Sequence, residues 1–83
     1  MSAILGQVVG DRSDTCYAAH CLRFGVSTSG ETLERALDNL RRAVREAIAD
    51  DRSIENDVLL LVTVRTQRYE SVIAEPLFTT FAL

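Results

Sequence analysis

Lysine is missing from this sequence: all nine basic residues are arginine, set against twelve acids for a formal net charge of −3. A weakly acidic chain has no overall field to draw it to nucleic acid, whereas it is compatible with a basic protein partner. Histidine occurs once, at His20, and cysteine twice, at Cys16 and Cys21. A metal site would need more ligands than these, so neither metal nor cofactor is expected. The two cysteines lie five positions apart in what reads as one strand. That odd spacing sends their side chains to opposite faces, so two reduced thiols are expected rather than a bridge. Reduced thiols suit a cytoplasmic protein. Long apolar runs are missing too: the longest, Val58 to Val62, is strand-sized and far short of the ~20 residues that span a bilayer. The opening MSAILGQVVG has neither a positive n-region nor a long apolar stretch, so no signal peptide is expected.

What the sequence does contain is apolar residue, 47% of 83 positions. One domain spanning residues 1–83 is expected, small enough that its own core is marginal. Surplus apolar strands in such a domain are often completed by another chain, and a homo-oligomer is expected on that ground.

Ala3 to Val9 reads as an aliphatic strand running into the turn Gly10-Asp11-Arg12-Ser13-Asp14. Thr15 to Phe24 reads as its antiparallel partner, ended by Gly25, and Val26 to Ser29 as a short third strand before Gly30. The clearest element follows. Leu33, Ala36, Leu37, Leu40, Ala43, Val44, Ala47 and Ile48 recur at three- and four-residue spacings, the stripe of an amphipathic helix. Thr32 is placed to cap it, and Glu34 sets negative charge in its first turn. Arg35, Asp38, Arg41, Arg42, Arg45 and Glu46 make a solvated opposite face. Asp50 to Asp57 is a polar connector. Val58 to Val64 reads as a strand buried on both faces, as a central or interface strand would be. A turn near Gln67-Arg68 leads to a strand from Tyr69 to Ala74, interrupted by Pro76. Leu77 to Leu83 is an apolar tail expected to dock on its own sheet or on a neighbouring chain.

The stretch Cys16-Tyr17-Ala18-Ala19-His20-Cys21, then Gly25-Val26-Ser27-Thr28-Ser29-Gly30-Glu31-Thr32-Leu33-Glu34, then Ala36-Leu37-Asp38-Asn39-Leu40 and Ala43, resembles the HicB-like antitoxin family of type II toxin–antitoxin systems. The likeness covers roughly residues 3–50, and its most specific part is Gly-Glu-Thr-Leu-Glu…Ala…Asn after a hairpin. It implies an α+β, β-β-β-α-β truncated ribonuclease H-like fold, an antiparallel sheet with one helix packed across it, here with an extra C-terminal β segment in residues 58–83. It implies as partner a small basic HicA-type toxin that cleaves mRNA. Two departures stand out. The Pro-x-Leu-Pro-Gly turn common in the family is replaced by His20-Cys21-Leu22-Arg23-Phe24-Gly25, and no helix-turn-helix pattern follows residue 50, so no direct DNA-binding module is visible.

A two-metal nuclease on such a fold needs carboxylates converging on a sheet face. Asp11, Asp14, Glu31, Glu34, Asp50, Asp51, Glu55 and Asp57 fall instead in turns, the helix start and the connector. His20 with Cys21 or Cys16 would make a base and nucleophile only if they met within hydrogen-bonding reach. Adjacent strand residues point apart, and a spacing of four is long. Arg41, Arg42 and Arg45 are interleaved with acids, as on a solvated helix face. No catalytic residue is therefore assigned, and binding rather than catalysis is expected. Tyr17, His20, Arg23 and Phe24 flank the departing turn and are the candidate partner contacts. Leu59, Leu61, Leu77, Phe78, Phe81 and Leu83 are the candidate oligomer contacts. A self-assembling structural or ligand-binding module of the same fold is the alternative reading.

Overall fold

The computed structural model describes residues 2–50, 57–68 and 70–78. Among these residues five strands and one α-helix follow one another: strands β1 (Ser2–Gly10), β2 (Tyr17–Cys21) and β3 (Val26–Gly30), helix α1 (Leu33–Asp50), and strands β4 (Asp57–Arg65) and β5 (Glu70–Phe78), with a 3-10 turn (Leu22–Phe24) between β2 and β3. The five strands form one mixed sheet in the order β3-β2-β1-β4-β5. β1 pairs antiparallel with β2, β2 with β3 and β4 with β5, whereas β1 and β4 run parallel. The α+β class with one helix across a sheet is thus the architecture observed. The extra C-terminal β segment is β5, returning antiparallel along β4.

Helix α1 forms as its stripe requires. Ala36, Leu40, Val44 and Ile48 are buried, with Leu33 and Leu37 packed beside them. Burying a Leu, Val or Ile side chain stabilises by roughly 1.5–3 kcal/mol. An exposed pair such as Arg42–Asp38, at 3.2 Å, contributes only about 0.3–0.5 kcal/mol. The apolar stripe, not the charged face, holds the helix in place. Its N-terminus is capped as expected: Thr32 Oγ1 accepts the Arg35 N–H at 3.1 Å.

The helix lies over β3, β2 and β1. A Cβ placed on Gly30 would sit 2.5 Å from the Ala36 backbone nitrogen, and one on Gly6 would sit 3.2 Å from Leu40 Cδ2. Small residues at the crossing therefore let the helix descend onto the sheet. Ile4 and Val8 of β1, Ala19 and Cys21 of β2, Val58, Leu60, Val62 and Val64 of β4, and Leu77 of β5 complete the core beneath it.

Five readings of the sequence are corrected. The sheet is mixed rather than antiparallel, because the connection through α1 returns the chain so that β4 enters beside β1 in the same direction. The strand expected over Thr15–Phe24 begins at Tyr17 and ends at Cys21; Leu22–Phe24 form a 3-10 turn closed by the Gly25 N–H on the Leu22 carbonyl. Gly25 makes that possible with φ +64°, a left-handed conformation that costs glycine nothing. β4 is buried on one face alone: Val58, Leu60, Val62 and Val64 face the helix, while Leu59 and Leu61 are half-exposed and Thr63 exposed. Pro76 does not interrupt β5, which runs through it opposite Leu59. β5 is an edge strand, where a residue without an N–H is tolerated. Arg41, expected among the solvated residues, is half-buried and donates to Glu75 Oε1 of β5 at 2.8 Å.

Candidate binding face

Alternation along a strand gives a sheet two faces, and this chain has one described helix to cover them. On the face away from α1 the strand registers build four cross-strand rows. Pro76, Leu59 and Ala3 form the first, and Ala74, Leu61 and Leu5 the second. Val72, Thr63, Gln7, His20 and Ser27 form the third, and Glu70, Arg65, Val9, Ala18 and Ser29 the fourth. The first two rows are wholly apolar. Leu5 remains 69% exposed and Val72 65%, and Leu22, in the adjoining 3-10 turn, is 92% exposed. Leu5 and Leu22 border a shallow hollow of about 230 Å³ with Gln7, His20 and Thr63. Two wider hollows, of about 450 and 440 Å³, flank Gln7 on the β4–β5 and β2 sides.

Charge is segregated between the two sides of the molecule. In these four rows the formal charges are Arg65 and Glu70, paired with each other at 3.1 Å. The helix surface carries Glu34, Arg35, Asp38, Arg41, Arg42, Arg45 and Glu46. There Arg41 joins Asp38 and Glu75, and Arg42 joins Asp38. Two members of the arginine cluster, Arg41 and Arg42, are thus tied into ion pairs.

The four candidate partner contacts do not form one patch. His20 is half-buried on the open face, its Nδ1 2.9 Å from Ser27 Oγ. Tyr17 lies on the opposite face and, like Phe24, packs against the core. Arg23 is exposed, with its guanidinium 5.8 Å from the Phe24 ring centroid. The Ser27 hydroxyl is not apparent from sequence as a partner of His20, because antiparallel register across a glycine-bounded turn sets it opposite. The pair has the length of a nucleophile–base contact. Among the described residues the imidazole's hydrogen-bond partner is Ser27, with no carboxylate to orient the ring.

The cysteines stay apart as thiols: Cys16 is exposed and borders the same hollow as His20, while Cys21 is buried under the helix. The acids are dispersed. Asp11 closes the β1–β2 turn, its carboxylate accepting the Ser13 and Thr15 N–H groups and the Thr15 hydroxyl. Those bonds, that from the Thr15 N–H foremost, hold its pKa below the ordinary aspartate value. Asp14, at φ +52°, accepts the Gln67 N–H at 3.2 Å and so ties this turn to the β4–β5 turn. Among the described residues no group of three His, Cys, Asp or Glu side chains could hold a metal ion, and no helix is long and apolar enough to cross a membrane.

Of the candidate oligomer contacts, Leu59 and Leu61 do lie on the open face. Leu77 does not: pairing with Val58 turns it toward the helix, where it is wholly buried in its own chain's core. Phe78 ends β5 opposite Asp57. Phe81 and Leu83 lie outside the described residues, as does Tyr69. Leu5 and Val72 were missed from sequence. The available signal was aliphatic residues at both parities of the first strand, Ile4 and Val8 against Leu5 and Val9, in a chain with one clear helix. Comparison with family models, curated proteins and solved structures finds no match to this chain.

Proposed function

We propose that this chain is a HicB-like binding module that captures and neutralises a small, basic, mRNA-cleaving toxin of the HicA type and performs no catalysis itself. The observation that carries the reading is the strand-to-helix junction. In the segment that resembles the family, Gly30 admits the helix, Thr32 caps it and Asn39 Nδ2 donates to the Ser29 carbonyl at 2.8 Å. The resembling residues thus act together in one local device. The element order supports the same reading: three antiparallel strands, a helix, then a further strand is the order the resemblance implies. Arg23 and Phe24, in the turn that departs from the family pattern, are the proposed toxin contacts, and the net charge of −3 suits a basic partner.

The test is a pull-down of the tagged chain from its native host after nuclease treatment, with intact masses measured for everything retained. A stoichiometric small basic protein, released only on denaturation, is the expected result. Recovery of the chain with its own copies alone removes the toxin-binding reading. The alternative, a self-assembling module, is favoured by one specific observation: the uncovered apolar rows of the sheet.

A further inference from the structure

We propose that the open face of the sheet is a self-association surface, on which a second copy of this chain packs sheet against sheet. This goes beyond toxin capture and does not depend on it.

Three observations select the occupant. The first is chemistry. Leu5, Leu59, Leu61, Ala74 and Pro76 make a contiguous apolar field across β1, β4 and β5, continued by Val72 in the next row. Exposed contiguous fields of this kind mark interaction sites, while scattered apolar residues do not. The second is charge. One arginine and one glutamate, already paired, leave the four rows with no net charge. A basic toxin or a nucleic acid would find no complementary field there, whereas a copy brings an equally neutral face. The polar row is compatible with itself for the same reason. Gln7, His20, Ser27 and Thr63 each carry both donor and acceptor capacity, so the same set can be satisfied by its own duplicate.

The third is area. Three strands of nine residues and two of five cover about 600 Å² in projection, at ~3.3 Å per residue and ~4.8 Å between strands. Side-chain relief raises the accessible area toward the ~800 Å² per partner typical of a stable interface. Two such faces stack ~10 Å apart with their strands within about 30° of alignment, giving a sheet-on-sheet core with a helix on each outer side.

Sedimentation velocity on the full chain across a concentration series tests the assignment. Twice the 9.2 kDa chain mass is expected at tens of micromolar. Leu5→Arg and Val72→Arg, at positions exposed in the single chain, should each weaken association at least about thirtyfold, the scale of a hot-spot loss. Their far-UV circular dichroism should remain that of the wild type. Glu46→Arg, on the helix side, should leave the dimer intact. A dilution series of methyl spectra on the unaltered chain gives a readout independent of any variant: Leu5, Leu61 and Val72 should shift with concentration while Val44 does not. A wild-type chain that stays monomeric at several hundred micromolar overturns the proposal. So does a dimer that survives both face substitutions, or concentration-dependent shifts confined to the helix side.

Discussion

Replacing Gly30 with alanine isolates the close approach between the end of β3 and the start of α1. The added Cβ would lie 2.5 Å from the Ala36 nitrogen, 2.9 Å from the Arg35 carbonyl carbon and 3.0 Å from Ala36 Cα. All three are backbone atoms, so no side-chain rotation relieves the overlap and the first turn of the helix must move. Gly30 is not among the residues with positive φ, so alanine meets no conformational penalty there. Alanine at a compatible position would by itself stabilise by about 0.4–1 kcal/mol through the unfolded chain. Overpacking a close contact costs about 1–3 kcal/mol, and it wins. The expected net loss is about 1–2 kcal/mol, a fall in Tm of roughly 4–16 °C for a domain of this size. Gly25 supplies the control. It sits at φ +64° with no atom within 4 Å of an added Cβ, so Gly25→Ala should lose about 1–2 kcal/mol through handedness alone. D-alanine introduced there by chemical synthesis should remove that loss. Urea unfolding, compared at constant m, reads all three. A Gly30→Ala chain at or above wild-type stability would refute the close-approach account, as would a D-alanine chain at position 25 no more stable than its L-alanine counterpart.

Leu40→Ala removes a wholly buried side chain that lies over Gly6 of β1 and should destabilise by about 2–5 kcal/mol in the same unfolding assay. Glu75→Gln weakens the half-buried bond from Arg41; a loss of about 1 kcal/mol is expected, discounted for its partial exposure, and a double-mutant cycle with Arg41→Met should show coupling. The Asp11 carboxyl should titrate below the ordinary aspartate value in a carbon-detected NMR titration. Because its folded pKa is depressed, its contribution is fully present above the unfolded pKa and is lost as pH falls through the folded one. Asp11→Asn, which keeps an acceptor oxygen for the Thr15 and Ser13 N–H groups, should preserve the turn and remove that part of the acid dependence.

The helix, its cap and its buried stripe were legible because their causes are local. Thr32 and Arg35 are three positions apart, and the spacing of Ala36, Leu40, Val44 and Ile48 is the period of the helix itself. The alternation of β4 was misread because Leu59 and Leu61 are as apolar as Leu60 and Val62. Hydrophobicity alone cannot separate a face covered by a helix from one left open. The candidate contacts fared unevenly for a related reason. Tyr17 and His20 are close in sequence, yet odd spacing sends them to opposite sides of the sheet, so proximity to one turn did not make one surface.

Sequence by itself determined the α+β class, the strand–turn–strand opening, the helix and the free cysteines at odd spacing, since each follows from patterns a few residues long. Tertiary structure alone decided the rest. Strand order made β5 an edge, and an edge tolerates Pro76. Register turned Leu77 inward, and the crossing of the helix brought Arg41 to Glu75 across thirty-four residues. The same register set Ser27 beside His20 and left Leu5, Leu61 and Val72 together on the open face. These outcomes depend on which distant strands become neighbours, and a single strand's own pattern is the same whichever neighbour it finds.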